Sequence, residues 1–463
     1  MPAPRPALPR VARCWLTLAL LALTGCASNS VFIPYTQHAQ QIRQAVMLGQ
    51  YDAEIQRLQA SDKSGSNRLL TLLELGRVEM LAHRPQASLD TFTQVMSLWA
   101  AQDQRARISL TQTTAEGASL VTNDNAIPYQ GRPYERSMAH EYQALNYLAL
   151  GRLSDAAVEV RRAEFEQRQI LLDEQNSVAA AEHQAHQQGF QPGDYTRFFA
   201  NMNRAAGRVK NAFQNAMAFY LSALIYEAVD QPNDAYVDIE QAFEMWPDNP
   251  ILQQDLVRLG SALGMSDAER LAQHLHLSPP PAEDGSVVVM IEQGWIPERA
   301  AFQFPIITQS TINYLAIPYY PGPFPLPQPE NLLIDQQQVT ALPLVDFEAL
   351  AAFDLKGQMP ALLARQWLRL LTQQKMEREL GSNGNPLGAL LGGLFSVLTD
   401  QADLRSWSTL PANSQMTRAW LTPGQHLLSW GNVHVPVVIR SGHTTLVQVV
   451  DNGGPLNIMT YNL

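Results

Sequence analysis

The chain has 463 residues, with 43 acidic side chains against 32 basic ones, a net charge of −11 and only two cysteines, Cys14 and Cys26. This acidic balance argues against nucleic acid as a partner, because such binding needs clustered lysines and arginines to neutralise phosphates. The length allows two or three domains, and two cysteines are too few for a disulfide framework.

The N-terminus carries Arg5, Arg10 and Arg13, then an apolar run from Trp15 to Leu23, then small residues, which is the layout of a secretory signal. The run is too short to cross a bilayer as a helix, which takes roughly 20 residues. Its end, Leu23-Thr24-Gly25-Cys26, resembles the lipobox of bacterial lipoproteins, in which the signal is cut before the cysteine and the sulfur and new amino terminus are acylated. The resemblance implies a signal peptide over 1–25, diacylglycerol and palmitate-type chains on Cys26, and a membrane partner reached through them. The plainer alternative makes Cys26 an ordinary small residue after an ordinary signal. Several acyl chains hold a protein firmly where a single one binds marginally. Cys14 would leave with the signal, so no intramolecular disulfide could form. The first 25 residues hold three arginines and no acid, so the remainder has a net charge near −14. Ala27, where Asp is the alternative, resembles the sorting pattern for the outer membrane of Gram-negative bacteria, with the body on the periplasmic face. No later segment has 18 uncharged apolar residues, the length of a further span.

From about Thr36 to Leu275 apolar residues return every three or four positions in a background of Ala, Leu, Gln, Glu and Arg, which predicts helix after helix. In "ALNYLALGRLSDAAVEVRRA", Ala144 and Tyr147 fall on one helix, Gly151 at a turn, and Ala156 and Ala163 on the next. In "FYLSALIYEAVDQPNDAYVDIEQAFEMWPDNP", Phe219, Ala223 and Tyr226 precede a turn at Gln231 to Asn233, and Ala235, Ala242 and Pro247 follow. These spacings match the tetratricopeptide repeat, in which small residues let antiparallel helices touch and a proline ends the second. Weaker candidates lie around Ala53, Ala60 and Ala87, and a generic helical bundle is the alternative. Ala156 and Ala235 are 79 positions apart, far more than one period of about 34. The insertion reads as a helical arm over about 165–212, either a solvated prop or a partner-binding feature.

Residues 276–286, "HLSPPPAEDGS", read as a linker. Beyond it "VVVMIEQGW" and "FQFPIITQSTINYLAIPYY" are β-branched and aromatic. Helices are expected over about 359–399, as Met359–Leu380 and Leu387–Thr399. Short strands then close the chain: "SQMTRAWL", "QHLLSW", "HVPVVIR", "TTLVQVV" and "LNIMTYN", separated by glycine turns. The expected fold is α+β multidomain, with a tetratricopeptide-like solenoid over 26–275 followed by a β-rich, antiparallel sandwich-like region over 287–463.

Three blocks, "TNDNAIPYQGRPYERSMAHEYQALNYLALG", "IEQGWIPER" and "ADLRSWSTLP" followed by "LTPGQH", together resemble an uncharacterised family of bacterial tetratricopeptide-type outer-membrane lipoproteins. The resemblance covers most of the chain after the signal. It implies localisation and architecture and brings no settled activity; members are expected in the cell envelope, alongside lipoproteins that serve peptidoglycan synthesis.

Motifs for chemistry are few. No Gly-rich loop ends in Gly-Lys-Ser/Thr, and no Gly-x-Gly-x-x-Gly follows a strand, so no nucleotide cofactor is expected. "LGSALG" sets Ser261 between Gly260 and Gly264, one place off a nucleophile elbow and within a helix. His183 and His186 beside Glu182 lack a third ligand nearby, and His274 and His276 offer less, so no metal is expected. Three constellations remain. "PYQGRPYER" gathers Tyr129, Tyr134 and Glu135 ahead of the helix that bears Tyr147. Such tyrosines either recognise a partner or plug the loop onto its own scaffold. "ADLRSW" alternates Asp403, Arg405 and Trp407, which on a strand would share a face as an ion pair under an indole, structural or ligand-binding. "EQGWIPER" places Glu292, Trp295 and Glu298 at a strand end suited to docking.

The reading that follows is a non-enzymatic, lipid-anchored scaffold or adaptor that binds an envelope protein, with Tyr129, Tyr134, Glu135, Tyr147, Trp295, Asp403, Arg405 and Trp407 as candidate contacts. One alternative is an enzyme acting on cell-wall glycan, or a regulator of one, using Glu292, Glu298 and Asp403. It would need two carboxylates roughly 5 to 10 Å apart across a cleft. The other is a structural subunit of an envelope machine.

Overall fold

The computed structural model describes residues 35–61, 65–110, 125, 127–165, 183, 196–211, 215–281, 283–308, 311–381 and 401–463. The expected signal peptide, Cys26, most of the helical arm and the helix at Leu387–Thr399 lie outside them.

The first half is helical: α1 (Tyr35–Met47), α2 (Tyr51–Ala60), α3 (Arg68–Leu81), α4 (Pro85–Leu110), α5 (Pro133–Ala149) and α6 (153–165), then α7 (Ala200–Ala206), α8 (Ala216–Ala228), α9 (Pro232–Met245), α10 (Pro250–Leu263) and α11 (Ser266–Leu275). Local chemistry sets the boundaries. Asn215 and Asn249 cap α8 and α10 by accepting backbone N–H groups of the first turn at 2.9 Å. Prolines open α9 and α10, where the missing N–H has no intrahelical partner to lose. Gly264, at φ 69°, takes the left-handed conformation that ends α10. The turn expected at Gln231–Asn233 lies slightly earlier: Asp230 adopts φ 59° and Pro232 already belongs to α9.

Ala144, Ala156, Ala223, Ala235 and Ala242 are all buried where neighbouring helices meet. Helix α3 is buried on every side, from Leu69 to Leu81, although it carries Glu74, Arg77 and Glu79. A helix that is apolar all round belongs to a core, and charges inside such a helix must find partners there.

The second half contributes β1 (Gly285–Gln293), β2 (Ala300–Thr308), β3 (Thr311–Tyr319), β4 (Glu330–Ile334), β5 (Gln337–Asp346), α12 (Phe347–Gly381), β6 (Asn413–Leu421), β7 (Gly424–Trp430), β8 (Val433–Ile439), β9 (Thr444–Asp451) and β10 (Asn457–Asn462). Eight strands form one sheet in the order β10-β9-β1-β6-β5-β4-β7-β8, curled into a half-barrel, while β2 and β3 pair separately. The sheet is mixed rather than purely antiparallel, since β1 runs parallel to β9. Hairpin β4–β5 was not expected, because its polar "DQQQ" breaks the alternation. Asp335 and Gln336 turn it with φ values of 47° and 69°, the left-handed pair that matches strand twist.

Strand β1 explains the layering. Side chains alternate across a strand, so Val287, Val289 and Ile291 join a small core inside the curl with Leu332, Leu428, Val437 and Val447. Val288 and Met290 face the opposite way, into a larger core shared with α3, α5, α8 and α12. A strand covered on both faces reads as an unbroken apolar run, and "VVVMI" is that run. The chain between Leu275 and Gly285 is a mostly exposed connection, yet the helices and the sheet on either side of it share one core. Helix α12 starts at Phe347, well before the expected Met359, and continues through Pro360. Asp346 caps it by accepting the Ala349 N–H at 3.0 Å.

Candidate functional site

The three distinctive sequence blocks meet in space. Residues 401–412, which contain "ADLRSW", form an irregular extended segment rather than the expected strand, and they run along α3 and α5.

Two buried carboxylates hold this segment. Glu74 of α3 accepts the backbone N–H and hydroxyl of Ser408, both at 2.6 Å, and those of Thr409 at 3.2 and 2.6 Å, with the Tyr35 hydroxyl at 2.9 Å. Glu135 of α5 accepts the Trp407 N–H at 2.8 Å, the Arg132 N–H at 2.9 Å and the Tyr129 hydroxyl at 2.6 Å. Burial lifts both acids above the ordinary carboxylate range, although these hydrogen bonds pull the other way. The Trp407 ring stacks edge-on against Tyr142 at 5.7 Å and lies 5.9 Å from Phe92, and its indole N–H reaches Thr409 at 2.9 Å.

Arg405 extends the junction. Its guanidinium pairs with both oxygens of Asp403 at 2.8 Å and donates to the Ile127 carbonyl at 3.0 Å. Burial disfavours the Asp403 carboxylate, but the bonds and charge of Arg405 outweigh this and hold it below its usual range. The aromatic cover over Arg405 is Tyr129, 5.5 Å from the guanidinium, and not the expected Trp407 indole.

"IEQGWIPER" contributes two contacts with the helices. Glu292 on β1 forms a fully buried ion pair with Arg77 of α3 and accepts the Tyr142 hydroxyl at 3.0 Å. Beside this pair lies Glu141, which accepts from Asn215 at 3.1 Å; burial first, and then the Glu292 charge, raises it to about 8. Glu298, at the surface, pairs with Arg43 of α1 at 3.1 Å, and Arg43 also reaches the Ile296 carbonyl and lies 5.5 Å from the Trp295 ring.

The candidate partner contacts are thereby relocated. Tyr129, Tyr134, Glu135, Arg405 and Trp407 are buried, and Asp403, Tyr147 and Trp295 are half-buried, so this set is not an exposed recognition face. Tyrosine and tryptophan carry a large apolar body with one polar atom, and a buried carboxylate satisfies that atom better than solvent contact does. Tyr147 stands apart, with Arg152 over its ring at 4.8 Å.

Glu74, Arg77, Arg132 and Arg299 also take part, and none of them belongs to the candidate contacts that the sequence offers. The first two could have been found as charges inside an otherwise apolar helix. Arg299 ends "EQGWIPER", and no local pattern marks it. Its side chain is only 2% exposed, and its Nε donates to the Tyr320 hydroxyl at 3.1 Å.

Among the described residues no group of three or more His, Cys, Asp or Glu side chains is placed to hold a metal, and no helix is long and apolar enough to cross a membrane. His183, His274 and His276 are exposed, and Ser261 lies within α10. No family model, no curated protein and no solved structure matches the chain.

Proposed function

We propose that this chain is a lipid-anchored scaffold or adaptor on the periplasmic face of a Gram-negative outer membrane, binding an envelope protein through shape rather than reactive groups. One observation carries the proposal: each of the three acids that the sequence offers for a glycan-cleaving reading is engaged by an arginine. Glu292 pairs with Arg77, Glu298 with Arg43 and Asp403 with Arg405. A hydrolase needs one carboxyl group to donate a proton and another to act as base or nucleophile, and all three of these carboxylates are already committed to ion pairs within the protein.

Anchoring is supported by the Leu23-Thr24-Gly25-Cys26 motif and by its distance from the body. Eight residues separate Cys26 from Tyr35, so the tether reaches at most about 30 Å when extended and keeps the helices near the lipid surface. The buried alanines of α5–α6 and α8–α9 support reading these pairs as tetratricopeptide-like units stacked into a solenoid. The core inside the curled sheet supports a sandwich-like reading of the second half.

The test is co-purification from detergent-solubilised envelopes with the full lipidated chain as bait, combined with an assay for glycan turnover. A stoichiometric protein partner, with no turnover, is expected. Glycan turnover by the purified chain alone would overturn the proposal.

A further inference from the structure

The geometry points to a buried oxyanion-binding site between α5, α12 and the start of β2, built on Arg299 and Arg132 with the Tyr134 hydroxyl. The ligand is a compact carboxylate or phosphate group.

Arg299 is the deepest element. Its Nε has a single hydrogen bond, to a neutral phenol, while Nη1 and Nη2 are buried and have no hydrogen-bond partner among the described residues. Those two nitrogens present the planar fork that binds carboxylate and phosphate groups through two parallel hydrogen bonds. The Tyr134 hydroxyl is likewise buried without a hydrogen-bond partner among the described residues, while Arg132 donates to Gln358 and has its Nε in ion-pair range of Asp354. Arg132 and Tyr134 flank Pro133, the first residue of the 17-residue helix α5, and Arg299 lies within electrostatic reach of both.

The acids nearby, Glu135, Asp354 and Asp403, balance the charge of the arginines but leave Arg299 Nη1 and Nη2 without a hydrogen bond. Asp403 is held on both oxygens by Arg405, and Glu135 is filled by Tyr129, Trp407 and the Arg132 N–H. Asp354 Oδ2, on α12, stays 3.9 Å from Arg132 Nε, beyond hydrogen-bond reach, while its other oxygen accepts from Gln358 at 2.8 Å. The Arg299 fork and the Tyr134 hydroxyl thus hold donors that no acceptor among the described residues takes up, and a buried donor left without a hydrogen bond is costly. The Arg132 side chain is 20% exposed and Arg299 only 2%, so Arg132 is the nearer of the two to solvent.

The experiment titrates the purified full-length protein with sodium phosphate and, separately, sodium acetate, reading calorimetric heat and melting temperature against sodium chloride at equal ionic strength. Saturable one-site binding of at least one probe is expected, and which one binds distinguishes a phosphate ligand from a carboxylate. Arg299→Gln should weaken that binding at least about tenfold, and Tyr134→Phe about fivefold, as expected for lost hydrogen bonds to an anion. Glu298→Gln, outside the site, should leave it unchanged. If Arg299→Gln does not fold, Tyr134→Phe decides, because it removes a hydroxyl with no hydrogen-bond partner among the described residues and should leave the melting temperature without anion unaltered. No saturable effect of either probe beyond chloride, or binding that Tyr134→Phe leaves intact, would overturn the site.

Discussion

The carboxylate of Glu135 accepts the backbone N–H of Trp407 at 2.8 Å, across 272 residues of chain. Through this bond the helical half and the β-rich half share a junction that neither completes alone. Trp407→Ala removes a buried ring that packs on Phe92 and Tyr142, and should cost about 3–5 kcal/mol. Urea unfolding of the parent followed by far-UV circular dichroism and tryptophan fluorescence should give one coincident transition. Two separate transitions would contradict a common core.

The Arg77–Glu292 pair is isolated from solvent, so removing one member leaves an uncompensated charge. Arg77→Met alone should destabilise by roughly 3–5 kcal/mol, and adding Glu292→Gln should recover part of that loss. A double-mutant cycle by chemical denaturation measures the coupling.

Stability should fall on both sides of a mildly acidic optimum. Glu141, lifted to about 8 by burial and then by Glu292, keeps in the folded state a proton that the unfolded chain releases near the ordinary carboxylate pKa. Its contribution is therefore complete below that ordinary value and lost as pH rises towards 8. Asp255 behaves oppositely. Burial works against its charge, but Arg418 at 2.9 Å and Arg258 at 3.1 Å hold it below the usual range, so its contribution is present above that range and lost on acidification. Glu141→Gln should flatten the alkaline slope, which is at most about 1.4 kcal/mol per pH unit. Urea midpoints at pH 5, 6.5 and 8 measure it, and parallel slopes in parent and variant would refute the assignment.

Gly260 marks where α10 meets α11. A Cβ built there would lie 2.2 Å from the Ala268 Cβ and 2.8 Å from the Tyr236 ring. Gly260→Ala should therefore destabilise by about 1–3 kcal/mol through overpacking, despite alanine's better helix propensity. Thermal melts of the two proteins check this.

Cys26→Ala should release the protein from membranes into the soluble fraction, since it removes the thiol on which the proposed acyl chains are built. Fractionation at high salt reads the outcome, and persistence in the membrane pellet would count against acylation.

Much of the fold was legible in the sequence. The closing strands lie where alternation predicts them, and the alanine-rich helices fall where the periodicity of three and four predicts them, because both signals come from which side of an element is buried. Hairpin β4–β5 escaped because its residues are polar and exposed at the turn. Helix α12 begins twelve residues before the expected Met359 and runs on through Pro360, where the ring leaves one intrahelical hydrogen bond unmade.

Composition and local pattern by themselves determined the acidic character, the lipobox resemblance, the helical first half and the β-rich second half, since each depends on residues near one another in the chain. Only the tertiary structure decided that Tyr129, Glu135, Arg405 and Trp407 face inward, that Glu74 grips Ser408 and Thr409, and that Arg299 lies beside Arg132. These outcomes depend on side chains separated by hundreds of residues competing for the same buried hydrogen bonds, and local pattern does not encode which partner wins.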